Sequence, residues 1–172
     1  TLVDQEGGLA RQVSAATGMD DAAARDAVRL WLGHVAEQER AITEGRRAFA
    51  PSRELDLEAM HRLADEDRLP RRRVGELAAA SQRLRPWPDT VAGLDLLAAE
   101  VTVLGLSNAS RRVLTGLSGN SGMRWHQALS AEDARAYKPD PAVYELALSS
   151  VPATARPPFM AAAHAWDLRA AA

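Results

Sequence analysis

The sequence contains no cysteine. That excludes disulfides, thiolate catalysis and cysteine-ligated zinc. Its four histidines are scattered, and no H-E-x-x-H motif occurs to build a zinc site. No apolar run approaches the roughly 20 residues of a membrane span. No signal-peptide pattern opens the chain, so a cytoplasmic setting is expected. Charge of one sign is also lacking: the net charge is -2, which argues against nucleic acid or an anionic membrane as the main partner. The basic cluster from Arg68 to Arg73 reads as a solvated helix start. Lysine is nearly absent. Of 21 Lys and Arg residues, Lys138 is the single lysine, in the stretch AYKPDPAVYE. Lysine is a compact, movable point charge and arginine a rigid planar fork, so the two are not interchangeable.

The 172 residues, 47% of them apolar, fit one domain or one domain with an insertion. Two regimes follow one another, with no internal repeat. From about Leu9 to Leu84 the pattern is helical. Leu9, Val13 and Ala16 share a face. Asp20 or Asp21 can cap a long helix carrying Ala24, Val28, Trp31, Leu32 and Val35. Ser52 is the next candidate cap, before Leu55, Ala59 and Leu63. Val74, Leu77, Ala78 and Ser81 mark a fourth helix.

After Pro86-Trp87-Pro88-Asp89 the grammar changes. Asp89 can cap a helix to about Ala99. Val101 to Leu106 is a short run rich in β-branched residues, read as a buried parallel strand. A helix from about Ser110 follows, with a glycine-rich break at Gly116 to Gly122. Trp125 to Leu129 is a candidate second strand. Asp140 followed by Pro141 is a strong helix start. The run FMAAA after Pro158 reads as a third strand. The expected architecture is α/β with a parallel sheet. In such sheets ligands bind beyond the carboxyl ends of the strands. Ser107-Asn108, Lys138 and His164-Ala165-Trp166-Asp167 all fall there. One rival is a serine hydrolase using Ser107, Asp140 and His164, since Gly105 to Ala109 is close to a nucleophile elbow. The strands that should precede such an elbow are missing, because the earlier residues read as helical.

Taken together, LGLSNAS, AYKPDPAVYELAL and AAHAWDL resemble the haloacid dehalogenase superfamily, and within it the L-2-haloacid dehalogenase (type II) branch. The opening TLVD resembles the tail of that branch's first motif. The resemblance implies a doubly wound, Rossmann-like α/β core with an inserted helical cap. The remnant of the first core motif would be 1–8, the cap 9–85 and the core 86–172, incomplete at both ends. The branch's nucleophilic aspartate corresponds to a place four residues before Thr1, so a sheet without its central strand and with unpaired edges is expected. The implied activity is hydrolysis of a small 2-haloalkanoic acid through an aspartyl ester, with no metal or cofactor. Ser107 and Lys138 would hold the substrate carboxylate and the nucleophile. Asn108 would donate to the departing halide, Asp167 would orient Lys138 and help position water, and Thr1 would bond near the nucleophile. Tyr144, His164 and Trp166 would line the substrate. Tyr144 reads equally as core of a helix face, and Trp166 as packing. The implied partner is a small molecule, with neither nucleic acid nor membrane; a homodimer stays open.

The sequence departs from the branch in three places. The branch has a halide-holding arginine after a cap Trp, whereas Trp31 is followed by Leu32. Arg29 and Arg40 would substitute only on a rotated helix. Before AWD the branch has Ser and Asn, and here Ala162 and His164. A superfamily phosphatase, which binds Mg²⁺ through D-x-x-x-D, is the alternative, but the first acid is Ala163. A catalytically inactive or truncated homologue is the other reading.

Overall fold

The computed structural model describes residues 2–151 and 158–172. Its first half is helical. Helix α1 (Gln5–Thr17) is capped by Asp4, whose carboxylate accepts from the Gly7 amide at 3.1 Å. Helix α2 (Asp21–Thr43) starts at Asp20, which accepts from the Ala23 amide at 2.8 Å, so the aspartate satisfies an amide that the helix start leaves bare. Helix α3 (Ser52–Asp65) follows. Ser52 is not its cap: Pro51 holds that position, without a side-chain bond. The Ser52 hydroxyl instead accepts from the Ser110 amide at 2.8 Å. The expected fourth helix is broken into a 3-10 turn over Arg71–Arg73, helix α4 (Val74–Leu77) and a second 3-10 turn over Ala80–Arg83. Gly75 lies in this stretch and weakens a continuous helix.

The second half contains helix α5 (Thr90–Glu100), strand β1 (Leu104–Ser107), helix α6 (Arg111–Ser121), strand β2 (Gln127–Ser130), helices α7 (Ala131–Ala134), α8 (Pro141–Ser149) and α9 (Ala165–Ala170). The two strands are parallel, with Leu104 opposite Gln127 and Ser107 opposite Ser130. Among the described residues the sheet has no third strand. The FMAAA run carries no strand structure, which corrects the expectation. Its alanines lack the β-branched side chains that fit a pleated surface, and Phe159 is 86% exposed. The glycine break in α6 is also corrected: the helix runs through Gly116 and ends at Gly122, in the left-handed conformation. Gly116 is a close approach, since a Cβ there would meet the Gln82 side chain at 2.7 Å.

A main apolar cluster unites the halves. Leu9, Val13, Val28, Trp31, Met60 and Leu77 join Leu94, Val113 and Leu117 from the second half. A smaller cluster of Ala50, Leu55, Ala131, Tyr137 and Val143 lies under the loop that carries Lys138. The Tyr137 hydroxyl donates to the Ala50 carbonyl at 2.7 Å. Among the described residues no helix is long and apolar enough to cross a membrane.

Ser52 is buried and joins the halves by a single polar bond. Ser52→Ala strands the Ser110 amide, and the expected loss is about 1–3 kcal/mol. Arg53→Ala, at an exposed neighbour, is the control. Urea unfolding of both variants checks this.

Candidate active site

Beyond the end of β1 the chain turns at Ser107-Asn108. The Ser107 hydroxyl accepts from the Ala109 amide at 3.1 Å, tightening the turn. Beyond β2, helix α7 and the loop over 135–140 bring Lys138 alongside. Its backbone amide donates to Asn108 Oδ1 at 3.0 Å. Helix α8 starts at Asp140, whose carboxylate accepts from Ala142 N. That cap sets the helix phase so that Tyr144 turns inward.

Lys138 Nζ donates to Asp167 Oδ2 at 3.0 Å, with side chains only 7% and 10% exposed. The Tyr144 hydroxyl donates to Asp167 Oδ1 at 2.8 Å. Each carboxylate oxygen therefore has a donor, which offsets much of the cost of burying the charge. Burial, together with the Asp167 carboxylate, raises the Tyr144 phenol well above its ordinary value. Tyr144 thus keeps its proton. It is both buried in a helix face and part of the polar network.

Asn108, Lys138, Tyr144 and Asp167 are thus brought together. His164 and Trp166 are not part of this network. Both are exposed, Trp166 by 46%, and their rings lie 5.9 Å apart. Thr1 lies outside the described residues. A serine triad is not formed: Asp140 is committed to capping α8, and His164 faces Trp166. Among the described residues no cluster of three His, Cys, Asp or Glu side chains is arranged for a metal. The surface hollows lined by Met19 and Leu69, and by Trp87 and Leu97, include none of the network residues.

Leu32 packs against the main core. Arg29 is bonded to Asp26 at the surface and Arg40 is exposed, so neither takes the place of the expected arginine. Two acids escaped the sequence reading. Glu39 Oε2 accepts from Asn108 Nδ2 at 2.9 Å. Asp56 Oδ1 accepts from the buried Trp31 indole at 2.8 Å. The available signal was an acid in an apolar stripe: Leu32, Val35 and Glu39 follow helical spacing on α2. Burial pushes Glu39 up to about 7, although the Asn108 bond pulls the other way. Burial likewise pushes Asp56 up to about 6, against the bond from Trp31.

No family model matches the chain. The (S)-2-haloacid dehalogenase 1 of Pseudomonas sp. (strain CBS-3) is 33% identical over 95 residues, 54% of this chain and 42% of that relative. The match thus spans less than half of the relative's length. A solved L-2-haloacid dehalogenase has a TM-score of 0.88 at 28% identity, over 99% of this chain and 75% of its own. A solved defluorinating L-2-haloacid dehalogenase has a TM-score of 0.79 at 28% identity, over 87% and 64%. In sequence and in fold the chain is similar to L-2-haloacid dehalogenases.

Glu39 and Asp56 make stability fall as pH rises. The folded state holds their protons more tightly than the unfolded chain does. Their contribution is full below the ordinary carboxyl range and is lost through about 6 and about 7. Glu58, held low chiefly by the hydrogen bond from Arg47, acts in a lower pH window. The unfolding free energy from urea denaturation should fall by an amount on the order of 1–3 kcal/mol between about pH 4.5 and about pH 7.5. Glu39→Gln should flatten much of that slope.

Proposed function

Proceeding from the similarity to L-2-haloacid dehalogenases, we propose that this chain handles the substrate in the hydrolytic dehalogenation of a small 2-haloalkanoic acid. The observation that carries the reading is the buried Lys138–Asp167–Tyr144 network beside Asn108. Residues 9–85 act as a helical cap over a doubly wound core at 86–172, and the ligand enters between them as a small molecule.

In this reading the nucleophile is the aspartate that the resemblance puts four residues before Thr1, and it attacks the carbon bearing the halogen. A carbon–oxygen bond forms, the carbon–halogen bond breaks, and the halide leaves with the bonding electrons. Water then attacks the carbonyl of the ester. The 2-hydroxy acid is released, the aspartate carboxylate is restored and a proton goes to solvent. Lys138 and Ser107 hold the substrate carboxylate, and the lysine cation favours an ionised nucleophile beside it. Asn108 donates to the departing halide. Asp167, fixed by Tyr144, aims Lys138 and positions the water. His164 and Trp166 line the entrance. The step uses no metal; Ala163 at the place of a phosphatase acid supports this.

Lys138→Arg in the full-length protein should be nearly as damaging as Lys138→Ala. A guanidinium is wider and planar, and a displacement of about 1 Å costs on the order of 100-fold in rate. The readout is kcat/KM with 2-chloropropionate, beside Tm. Retention of most activity by Lys138→Arg would refute the assigned role. Chelator should leave turnover unchanged, whereas activity restored only by Mg²⁺ would favour the phosphatase.

A further inference from the structure

We infer that Glu39 is the positioning residue of Asn108: its carboxyl group holds the side-chain amide, and its proton decides how that amide meets an anion. The inference rests on the reading of Asn108 as the donor to the leaving group.

The orientation of the amide follows from its two ends. Asn108 Oδ1 accepts from the Lys138 backbone amide at 3.0 Å. The NH₂ group must then face away from Lys138, and it meets Glu39 Oε2 at 2.9 Å. An asparagine NH₂ carries two hydrogens. One is taken by Glu39, which leaves one for a ligand. Asn108 is thus held between the loop at Lys138 and helix α2, and α2 contributes no other polar contact to it.

The charge of the holding group matters because of what surrounds it. Across from α2, helix α3 presents Asp56, whose charge disfavours an ionised Glu39. The loop before Lys138 presents Tyr137, a phenol that burial keeps protonated. The cations nearby are already engaged: Lys138 pairs with Asp167, and Arg47 pairs with Glu58 and bonds Gln38. Among the described residues no cation pairs with Glu39 itself. Burial and Asp56 set its titration near neutrality.

Consider an anion seated on the free Asn108 hydrogen. With Glu39 neutral, it meets an amide and an uncharged acid. With Glu39 ionised, it meets a negative charge across a single amide group in a partly dry site, where Coulomb repulsion is weakly screened. The ionised carboxylate also draws the amide toward itself through a charge-assisted bond. An arginine at the place of Leu32 would hold an anion with little dependence on pH in this range. With Leu32 packed against the core and Glu39 two turns along the same helix, anion affinity should fall as pH rises.

The test uses the chain itself, labelled with ¹⁵N and ¹³C. The Asn108 NH₂ signals, identified by their loss in Asn108→Ser, and the Glu39 side-chain carboxyl carbon are followed from about pH 5.5 to about pH 8.5. The two should titrate together, and Glu39→Gln, which keeps an acceptor for the amide, should leave Asn108 flat. The wild-type comparison stands even if the variant fails to fold. Chloride and 2-chloropropionate are then titrated at both ends of the range. If only the protonated form binds, wild-type affinity should drop by about tenfold or more, while Glu39→Gln should change by less than about twofold. Differing midpoints for Glu39 and Asn108, a flat wild-type Asn108, or a pH-dependent Asn108 in Glu39→Gln would overturn the inference. Anion affinity independent of pH would overturn it as well. Joint titration without anion binding at any pH would uphold the Glu39–Asn108 link and defeat the leaving-group reading.

Discussion

The arrangement of the site depends on the buried carboxylate of Asp167. A charge removed from water is tolerable only when its oxygens are fully bonded, and here Lys138 and Tyr144 supply one donor each. Asp167 is the one buried residue of α9. The placement of that short helix, with Trp166 and Leu168 on its exposed sides, therefore follows from this ion pair rather than from an apolar face. The same contact holds the only ammonium group of the chain at the carboxyl ends of both strands.

Polar bonds of long sequence separation set the rest of the network. Ser52 meets Ser110, Tyr137 meets Ala50, and Glu39 meets Asn108. Each links a residue of the helical half to a turn or loop of the α/β half. The apolar clusters supply non-directional attraction, whereas these bonds fix which atoms face each other. Phe49 stacks beside Tyr137 at 5.4 Å and Arg135 lies over Phe49 at 5.7 Å, so the chain just before Lys138 is held from the helical side. Placement of the ammonium group and of the Asn108 amide is then a property of both halves together.

Much of this was legible from residue order. Asp20, Asp140 and Pro141 carry local signals that need only their own neighbours, and the helices start where those residues predict. The SN turn and the single lysine follow the ends of β1 and β2, where a parallel sheet puts its loops, whereas AWD lies on α9 and reaches them without the third strand that was expected to carry it. Local pattern failed where a residue's partner was distant. Ser52 had the right type for a cap, but a backbone amide 58 residues away claimed its hydroxyl. Gly116 looked like a break and is instead a contact with Gln82. FMAAA had the apolar character of a strand without the shape for one.

Sequence alone carried the helices of the first half, two of the three strands it suggested, and Asn108, Lys138, Tyr144 and Asp167 as candidates for the strand ends. These follow from periodicity and caps, which act over a few residues. Only the tertiary structure decided that Tyr144 and Lys138 share Asp167, that Leu32 packs half-buried against the core, and that Glu39 grips Asn108. Those outcomes depend on burial, and burial is set by the packing of segments far apart in the chain. The same burial raises the Glu39 carboxyl toward neutrality, a property that no local reading of its neighbours contains.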